Sequence, residues 1–325
     1  MKEINVLKFY GILLVVLGHV AFVYSPSSII TPHIPSVAMN FVKNIIYSFH
    51  MPLFFFASGC IFAYQLEVKR KPMTFAQLLR NKTKRLMIPF YAFALLMVYP
   101  TMVLLGFRNP VHYFFDGFIL AIDPRHLWFV MTLFLLFLLF FGLRKICNKL
   151  HVPIWATSIL ALLIYSFPIN IAYFQIRNAE EYLIWFTLGY LFTIYKPIFK
   201  YVIIAALCGL GLNIAMPEFT PPNILKLYNT VIGVAILYLL SVRTIKIEET
   251  KLYQWVAPNS FVIYLFHAMI IYWLEFIASP YPINPYLLSM AIFVISLTLS
   301  ILLTVAVRKL GLSIIIGEKS KKLCQ

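Results

Sequence analysis

The sequence predicts an all-α, polytopic integral membrane protein with about ten transmembrane helices and with both termini in the cytoplasm. Of its 325 residues, 62% are hydrophobic and only 12% are charged, and the mean hydropathy is +0.88. A soluble domain of this length needs far more polar surface. The apolar runs are roughly 18 to 25 residues long, which suits membrane-spanning helices and exceeds the short alternating strands of a barrel.

Ten apolar runs are predicted to span the membrane. The first, which contains LKFYGILLVVLGHVAF, is predicted to be an uncleaved anchor, because it is long for a signal peptide and lacks a small-residue cleavage site. Prolines and asparagines mark several ends of the later runs. The partly apolar segment 108–125 is expected to lie along the interface or to re-enter the bundle. The predicted spans are 5–24, 40–65, 86–107, 126–143, 152–174, 181–196, 198–216, 222–241, 256–278 and 285–308.

The distribution of basic residues predicts the orientation. With the N-terminus inside, the cytoplasmic side holds 22 of the 27 lysines and arginines, which is the asymmetry that the positive-inside rule describes. This asymmetry also explains the net charge of +16 without a nucleic-acid partner. We expect one transmembrane domain over residues 1–325 and no separate soluble domain. The basic residues assigned to the outer side are Lys43, Arg108, Arg125, Arg177 and Lys226.

The four cysteines predict neither a disulfide nor a metal site. They are Cys60, Cys147, Cys208 and Cys324, and no two of them form a C-x-x-C pair. In the predicted topology they lie within spans or near the inner face, where disulfides are not expected.

Two ionisable residues of the first span, Lys8 and His19, fall on one helical face. They are eleven positions apart, which at about 100° per residue returns to the same side, roughly 16 Å further along the axis. An ionisable group in hydrocarbon costs a few kcal/mol, so each needs a partner or a function. Lys8 can also be interpreted as a snorkelling residue, and His19 as a core histidine bonded to a neighbouring carbonyl.

The second and third spans add further ionisable groups. In SFHMPLFFFASG, His50 precedes Pro52, which should loosen the helix and free a carbonyl. Neighbouring antiparallel spans would bring His19 and His50 to comparable depth, and both packing and function remain open for His50. Lys82 and Arg85 belong to the most basic stretch of the chain. That stretch is expected to bind either anionic lipid head groups or a phosphate-rich cytosolic ligand.

The start of the fourth span, DPRHLWFV, places Arg125 and His126 beside Trp128. Tryptophan is common at a membrane interface, so its position alone does not indicate a function. The acidic pair Glu180 and Glu181 is predicted to be a solvated start of the sixth span.

The ninth span contains APNSFVIYLFH, in which Ser260, Tyr264 and His267 share a face by i, i+4, i+7 spacing. Both interhelical hydrogen bonding and ligand binding are open interpretations of this face. Glu275 lies further along the same span, and it is expected either to pair with a basic residue at the start of the fourth span or to reach the outer interface.

With these motifs in place, the chain resembles the membrane acyltransferase family 3, whose members O-acylate cell-envelope glycans. The resemblance covers nearly the whole chain, through the first-span motif, FHMPLFFFASG, KRLMIPFY, HLWFV and NSFVIYLFH in order. The family's first-span signature is arginine, ten residues, histidine. Here the histidine matches as His19, whereas Lys8 replaces the arginine and lacks its planar fork. Lys82 and Arg85 are similar to the family's basic pair before the third span.

The resemblance implies a multi-pass enzyme of a bacterial cytoplasmic (inner) membrane that uses acyl-CoA, most simply acetyl-CoA, as the donor. Lys8, Lys82 and Arg85 would bind the donor's phosphates, and His19, with His50, would be catalytic, His19 as general base. The acceptor would be a sugar hydroxyl of a surface polysaccharide or a lipid-linked saccharide. Membrane lipids are the other expected partner, and no metal is implied. The residues expected to bind the acceptor are Arg125, His126, Trp128, Ser260, Tyr264 and His267.

Two other classes of function remain to be weighed. A secondary transporter or flippase for a polar envelope precursor would use the histidines as a proton relay. A non-catalytic scaffold would leave the ionisable groups in the spans unexplained. The sequence leaves open the acceptor sugar, a longer or succinyl donor, a transient acyl-histidine and a homo-oligomeric state.

Overall fold

The structure is helical, as the sequence predicts. The computed structural model describes residues 1–195 and 222–319, with positions 201, 203–205, 207, 208 and 211 between them. No strand occurs within these residues. Seven of the helices described there are long and apolar enough to cross a membrane. The protein is therefore a polytopic helical membrane protein.

The longer helices in the described ranges are labelled in chain order, and short helical segments join them. The labelled helices are α1 Lys2–Phe22, α2 Val37–Tyr47, α3 His50–Ala63, α4 Phe75–Leu104, α5 Trp128–Leu150, α6 Ala156–Ser166, α7 Ile176–Ile194, α8 Pro222–Arg243, α9 Ser260–Ala278 and α10 Pro285–Lys309. The short segments are Tyr64–Val68, Pro110–Tyr113, Phe114–Ile119, Arg125–Leu127, Tyr173–Gln175, Ile245–Glu249, Lys251–Val256, Ala257–Asn259 and Ser313–Ile316.

One predicted span is wrong. Within 152–174 the one α-helix is α6, whose eleven residues give about 16 Å of length against a hydrocarbon core of about 30 Å. The helix stops at Phe167, because the following Pro168 disfavours a helical conformation in the residue before it. Asn170 then turns the chain with a left-handed φ of 64°. The predicted span 198–216 lies outside the described residues, apart from the isolated positions named above.

The predicted span 40–65 consists of two helices, because the helical conformation is interrupted between α2 and α3. Phe49 has φ −142° and ψ −17°, outside the helical region, and His50 is the first residue of α3. Pro52 therefore lies in the first turn, where its missing N–H costs no hydrogen bond. Pro52 thus lies in the first turn of a new helix rather than loosening a continuous one. The expected free carbonyl is confirmed, because the carbonyl oxygen of Ser48, four residues before Pro52, accepts a hydrogen bond of 2.7 Å from the hydroxyl of Thr230.

The third span starts earlier than predicted. Thr74 and Gln77 form a capping box at the start of α4, so the helix begins at Phe75 rather than at residue 86. Lys82 and Arg85 consequently lie within a helix and not in a loop. A π-helical segment, Thr83–Met87, surrounds Arg85 just before Pro89. Since Pro89 has no N–H, it cannot bond the carbonyl of Arg85, and this frees the backbone to adopt the wider turn.

Helix α1 lies at the centre of the bundle. It packs against α2, α3, α8, α9 and α10, and its buried residues point to several sides, from Ile4 to Ala21. A helix surrounded in this way has no lipid-facing stripe, and Lys8 and His19 therefore face the protein interior.

The closest helix pair is α3 with α7. A Cβ atom added to Gly59 would overlap the carbonyl oxygen of Phe186, and one added to Gly189 would overlap that of Phe56. The two backbones approach this closely only because both positions lack a side chain. This contact holds α7 against the helix that carries His50.

Candidate active site

Two cavities lie along the central helix, one near each end of α1. The first, the basic cavity, has a volume of about 440 Å³ and includes Lys8, Lys82 and Arg85 in its lining. The second, the histidine cavity, has a volume of about 240 Å³ and includes His19, His50 and His126. Lys8 and His19 thus belong to different cavities, and α1 connects them.

The basic cavity gathers positive charge from two helices. Lys8 comes from α1, and Lys82 and Arg85 come from α4. The ammonium nitrogen of Lys82 lies 3.1 Å from the ring centroid of Phe137. The guanidinium of Arg85 lies over the ring of Phe261 and donates a hydrogen bond of 2.7 Å to the carbonyl oxygen of Gly317.

No aspartate or glutamate is among the described residues that line the basic cavity. Three cations without a lining carboxylate create a positive potential, which attracts an anionic ligand such as a phosphate. The rest of the lining is largely apolar and includes Met51, Phe54, Phe129 and Leu133. The cavity therefore offers cations for a charged group and apolar contacts for an uncharged one.

The three histidines that line the histidine cavity come from three elements. His19 lies near the end of α1, His50 begins α3, and His126 lies in the segment Arg125–Leu127. Behind them His267 of α9 is fully buried, with its ring centroid 4.9 Å from that of His19 and 5.7 Å from that of His126. The rings of His19 and His267 are therefore in edge contact.

Backbone carbonyls fix the tautomers of three histidines. A carbonyl oxygen only accepts, so the ring nitrogen that faces it carries the hydrogen. On this argument His50 donates from Nδ1 to the carbonyl of Ile46 at 2.8 Å. His267 donates from Nδ1 to the carbonyl of Tyr264 at 2.8 Å, and His126 donates from Nε2 to that of Leu265 at 3.1 Å.

His19 differs from the other three. It has no hydrogen bond to any described residue, it is half-buried, and it lines the cavity. In His267 the buried Nε2, and in His126 the buried Nδ1, likewise have no partner among the described atoms. Those two nitrogens are enclosed, however, whereas the ring of His19 lines the cavity without a hydrogen bond to a described residue.

Two side chains, Met51 and Tyr264, line both cavities and form the wall between them. Tyr264 donates a hydrogen bond from its hydroxyl to the carbonyl of His126, which fixes the ring against the segment before α5. Met51, from α3, is unbranched and flexible. A thin wall with one fixed and one adaptable side chain thus separates the cations from the imidazoles.

The residues predicted to bind the acceptor do not all lie in one cavity. Ser260 lines the basic cavity, Tyr264 lines both cavities, and His267 lines neither and lies behind His19. Arg125 and Trp128 line the histidine cavity as a group with His126. Ser260, Tyr264 and His267 share a face of α9, as their i, i+4, i+7 spacing predicts, but their side chains lie at different depths.

Arg125 is held in an unusual conformation at the histidine cavity. Its φ of 51° is left-handed, which is strained for an arginine. Its guanidinium lies 3.6 Å from a carboxylate oxygen of Asp123, which also pairs with Arg108 at 3.1 Å. Buried nitrogen atoms of Arg125 have no hydrogen-bond partner among the described residues. The residue as a whole lines the histidine cavity.

Several residues of the site were not predicted from the sequence. Tyr47, Tyr182 and Tyr272 line the histidine cavity, and Met51 forms the wall. Aromatic residues make up 17% of the chain, so an aromatic residue within a span carries no signal of its own. Glu275, expected to pair with a basic residue or to reach the interface, is buried, and its Oε1 has no hydrogen-bond partner among the described atoms.

The site offers cations, imidazoles and hydroxyls. Within the described part of the chain no three His, Cys, Asp or Glu side chains are placed to hold a metal ion.

Comparison with known proteins identifies the family. Neither the search of curated proteins nor that of solved structures gave a match. The family model described as an acyltransferase domain, Acyl_transf_3, matches residues 1–307. Because this match covers nearly the whole chain and the described helices include seven that are suited to cross a membrane, the protein is a membrane acyltransferase that belongs to acyltransferase family 3.

Proposed function

We propose that the protein is an O-acyltransferase, in the simplest case an O-acetyltransferase, that moves the acyl group of a cytosolic acyl-CoA to a sugar hydroxyl of a surface polysaccharide or lipid-linked saccharide. The observation that carries the proposal is the pair of cavities along α1: one holds three cations and the other a ligand-accessible imidazole. Among the described residues, Met51 and Tyr264 line both cavities.

The basic cavity suits the donor. The phosphates of coenzyme A are bound by Lys8, Lys82 and Arg85 through charge-assisted hydrogen bonds. The uncharged pantetheine arm then follows the apolar lining toward the shared wall. The thioester is thereby brought to Met51 and Tyr264, from the side opposite to His19.

The reaction requires one base. Neutral His19 takes the proton of the sugar hydroxyl as its oxygen attacks the thioester carbonyl carbon. The tetrahedral intermediate then collapses, the carbon–sulfur bond breaks, and coenzyme A leaves as a thiolate. The imidazolium returns its proton to that sulfur, so that the products are the sugar ester and the coenzyme A thiol, and His19 is neutral again.

The remaining groups of the histidine cavity position the acceptor and stabilise charge. The guanidinium of Arg125, which lines the cavity, supplies donors to the oxyanion or to a second sugar hydroxyl. Trp128, whose indole lies 5.2 Å from the ring of Tyr182, provides an aromatic surface for the sugar. His50, locked as the Nδ1–H tautomer, presents Nε2 as an acceptor for a further hydroxyl.

The test uses the purified full-length protein in lipid nanodiscs, radiolabelled acetyl-CoA and lipid-linked saccharides extracted from the producing cells. We expect label to appear in the saccharide as a hydroxylamine-sensitive ester, at a position that mass spectrometry identifies. Saccharide uptake into proteoliposomes without acyl-CoA, and no ester formation, would contradict the proposal and support a transporter.

The wall between the cavities predicts which acyl groups are transferred. Met51→Ala removes most of the flexible half of the wall, so longer acyl groups gain room beside Tyr264. We expect the ratio of kcat/KM for butyryl-CoA to that for acetyl-CoA to rise about tenfold or more, since one methylene contributes 10- to 200-fold discrimination. Met39→Ala, a buried methionine outside both cavities, is the matched control. An unchanged ratio would show that Met51 does not limit donor size.

A further inference from the structure

A third, polar pocket lies at the same end of the molecule as the histidine cavity. It has a volume of about 210 Å³ and is lined by Tyr165, Pro168, Asn170, Arg177, Glu181 and Lys226. Its position follows from α7, on which the chain neighbours Glu181 and Tyr182 line this pocket and the histidine cavity respectively. Because adjacent Cα atoms are about 3.8 Å apart, the two sites are neighbours on one helix.

A buried carboxylate holds the wall of this pocket in place. Glu180, only 7% exposed, accepts hydrogen bonds from the backbone N–H groups of Ile169 and Asn170 at 3.3 and 3.1 Å. These bonds hold the loop that follows α6 against the start of α7. The expectation that Glu180 is a solvated residue is therefore wrong: it shapes the pocket wall.

The same loop is tied to the histidine cavity. The side-chain amide of Gln175 donates hydrogen bonds to the carbonyls of Ala121 and Ile122, at 2.5 and 2.9 Å. Those carbonyls lie in the segment that leads to Arg125. Phe174 and Gln175 adopt left-handed φ values of 52° and 61°, a strain that tertiary contacts must maintain. The pocket and the histidine cavity are thus connected by one rigid segment.

The lining chemistry indicates a neutral saccharide. Glu181 and Lys226 form an ion pair at 2.5 Å, which supplies both acceptors and donors for hydroxyl groups. Asn170 adds an amide and Arg177 a planar guanidinium, while the ring of Tyr165 offers an apolar face. A phosphate would meet the negative carboxylate of Glu181, and an acyl chain would meet four polar side chains. Hydroxyl groups, which donate and accept, match this mixture.

We infer that this pocket is a second saccharide-binding subsite, which holds the sugar next to the one that is acylated. The inference rests on the proposed function, since it assigns the acylated sugar to the histidine cavity. It explains why a site for a single hydroxyl is followed along α7 by a second pocket with groups suited to sugar hydroxyls. It also predicts that the enzyme prefers an oligosaccharide to a monosaccharide.

The experiment measures binding without a donor. The full-length protein in nanodiscs is titrated by calorimetry with chitin- and mannan-derived oligosaccharides of one to six sugars. For at least one series we expect a second sugar to tighten binding roughly tenfold, as one or two added hydrogen bonds to charged groups do. Asn170→Gly, which tolerates the left-handed backbone, and Glu181→Gln should each remove most of this increment and leave monosaccharide binding unchanged. Asn44→Ala, an exposed asparagine outside the pocket, should retain it.

The outcomes separate this inference from the proposed function. A chain-length increment that both pocket variants abolish supports the subsite, even if no acyl transfer is found. No binding in either series, no increment, or an increment unaffected by Asn170→Gly and Glu181→Gln overturns the subsite. Acyl transfer to a saccharide in that case would leave the proposed function intact.

Discussion

Replacing His19 with alanine is expected to lower the turnover number of acyl transfer by about 10²- to 10⁴-fold, the usual contribution of a general base. His19 is the ring that lines the cavity without a hydrogen bond to any described residue, so its loss removes the base and leaves the cations of the basic cavity in place. The KM for acetyl-CoA should therefore stay within about twofold, because ground-state binding is separate from the chemical step.

Two controls make the result specific. His33→Ala removes an exposed histidine near the same end of the molecule and should leave turnover unchanged. His19→Gln keeps a polar side chain in the cavity and should be as inactive as the alanine variant, since glutamine takes no proton near neutral pH. A His19→Ala protein that is folded and inserted, and that transfers acetyl at the wild-type rate, would remove the catalytic assignment.

Replacing Lys82 with methionine is expected to raise the KM for acetyl-CoA roughly tenfold or more, with a smaller change in kcat. Methionine keeps an unbranched apolar side chain beside Phe137 and removes the ammonium group that lies over the ring, and a hydrogen bond to a charged group contributes about 1.5–3 kcal/mol. Acetyl-pantetheine, which has no phosphate, serves as the second donor. Its KM should not change, because the ammonium group of Lys82 acts on the phosphates.

Lys84→Met is the matched control for the charge. Lys84 is exposed on the same helix, two positions further on, and it does not line the basic cavity. We expect its removal to change neither donor's KM at physiological salt, where surface charges are screened beyond about 8 Å. An equal rise of KM for both donors in Lys82→Met would mean that the residue supports the fold rather than binds phosphate.

The parts of the fold that follow from local pattern could be predicted. The spacing of Lys8 and His19 fixes them on one face of a helix, and the structure places them in two cavities along that helix. The early start of α4 also has a local signal, the capping pair Thr74 and Gln77. The apolar run alone does not reveal this start, because the run begins later in the sequence. In these cases the cause lies within a few residues of the feature.

Other parts depend on contacts between distant segments. Ser260 and His267 share a face of α9, yet only Ser260 of the two lines a cavity, whereas His267 lies behind His19. The wall of Met51 and Tyr264 exists because α3 and α9 both pack against α1, and the local sequence does not reveal that these two residues line both cavities. The short length of α6 reflects Pro168 together with the hold of Glu180 on Ile169, a contact that no helical periodicity reveals.

The thinness of the wall between the cavities has an electrical consequence. If water and ligands occupy the cavities on either side, most of the transmembrane voltage falls across Met51 and Tyr264, and a charge that crosses there experiences about 2.3 kcal/mol per 100 mV. When the acyl group moves outward and the proton of the sugar hydroxyl moves inward to the sulfur of coenzyme A, no net charge crosses the wall. The turnover rate would then be insensitive to voltage. If the proton were instead released on the side of the histidine cavity, one net positive charge would cross for each ester formed, and the turnover rate would depend on the membrane potential.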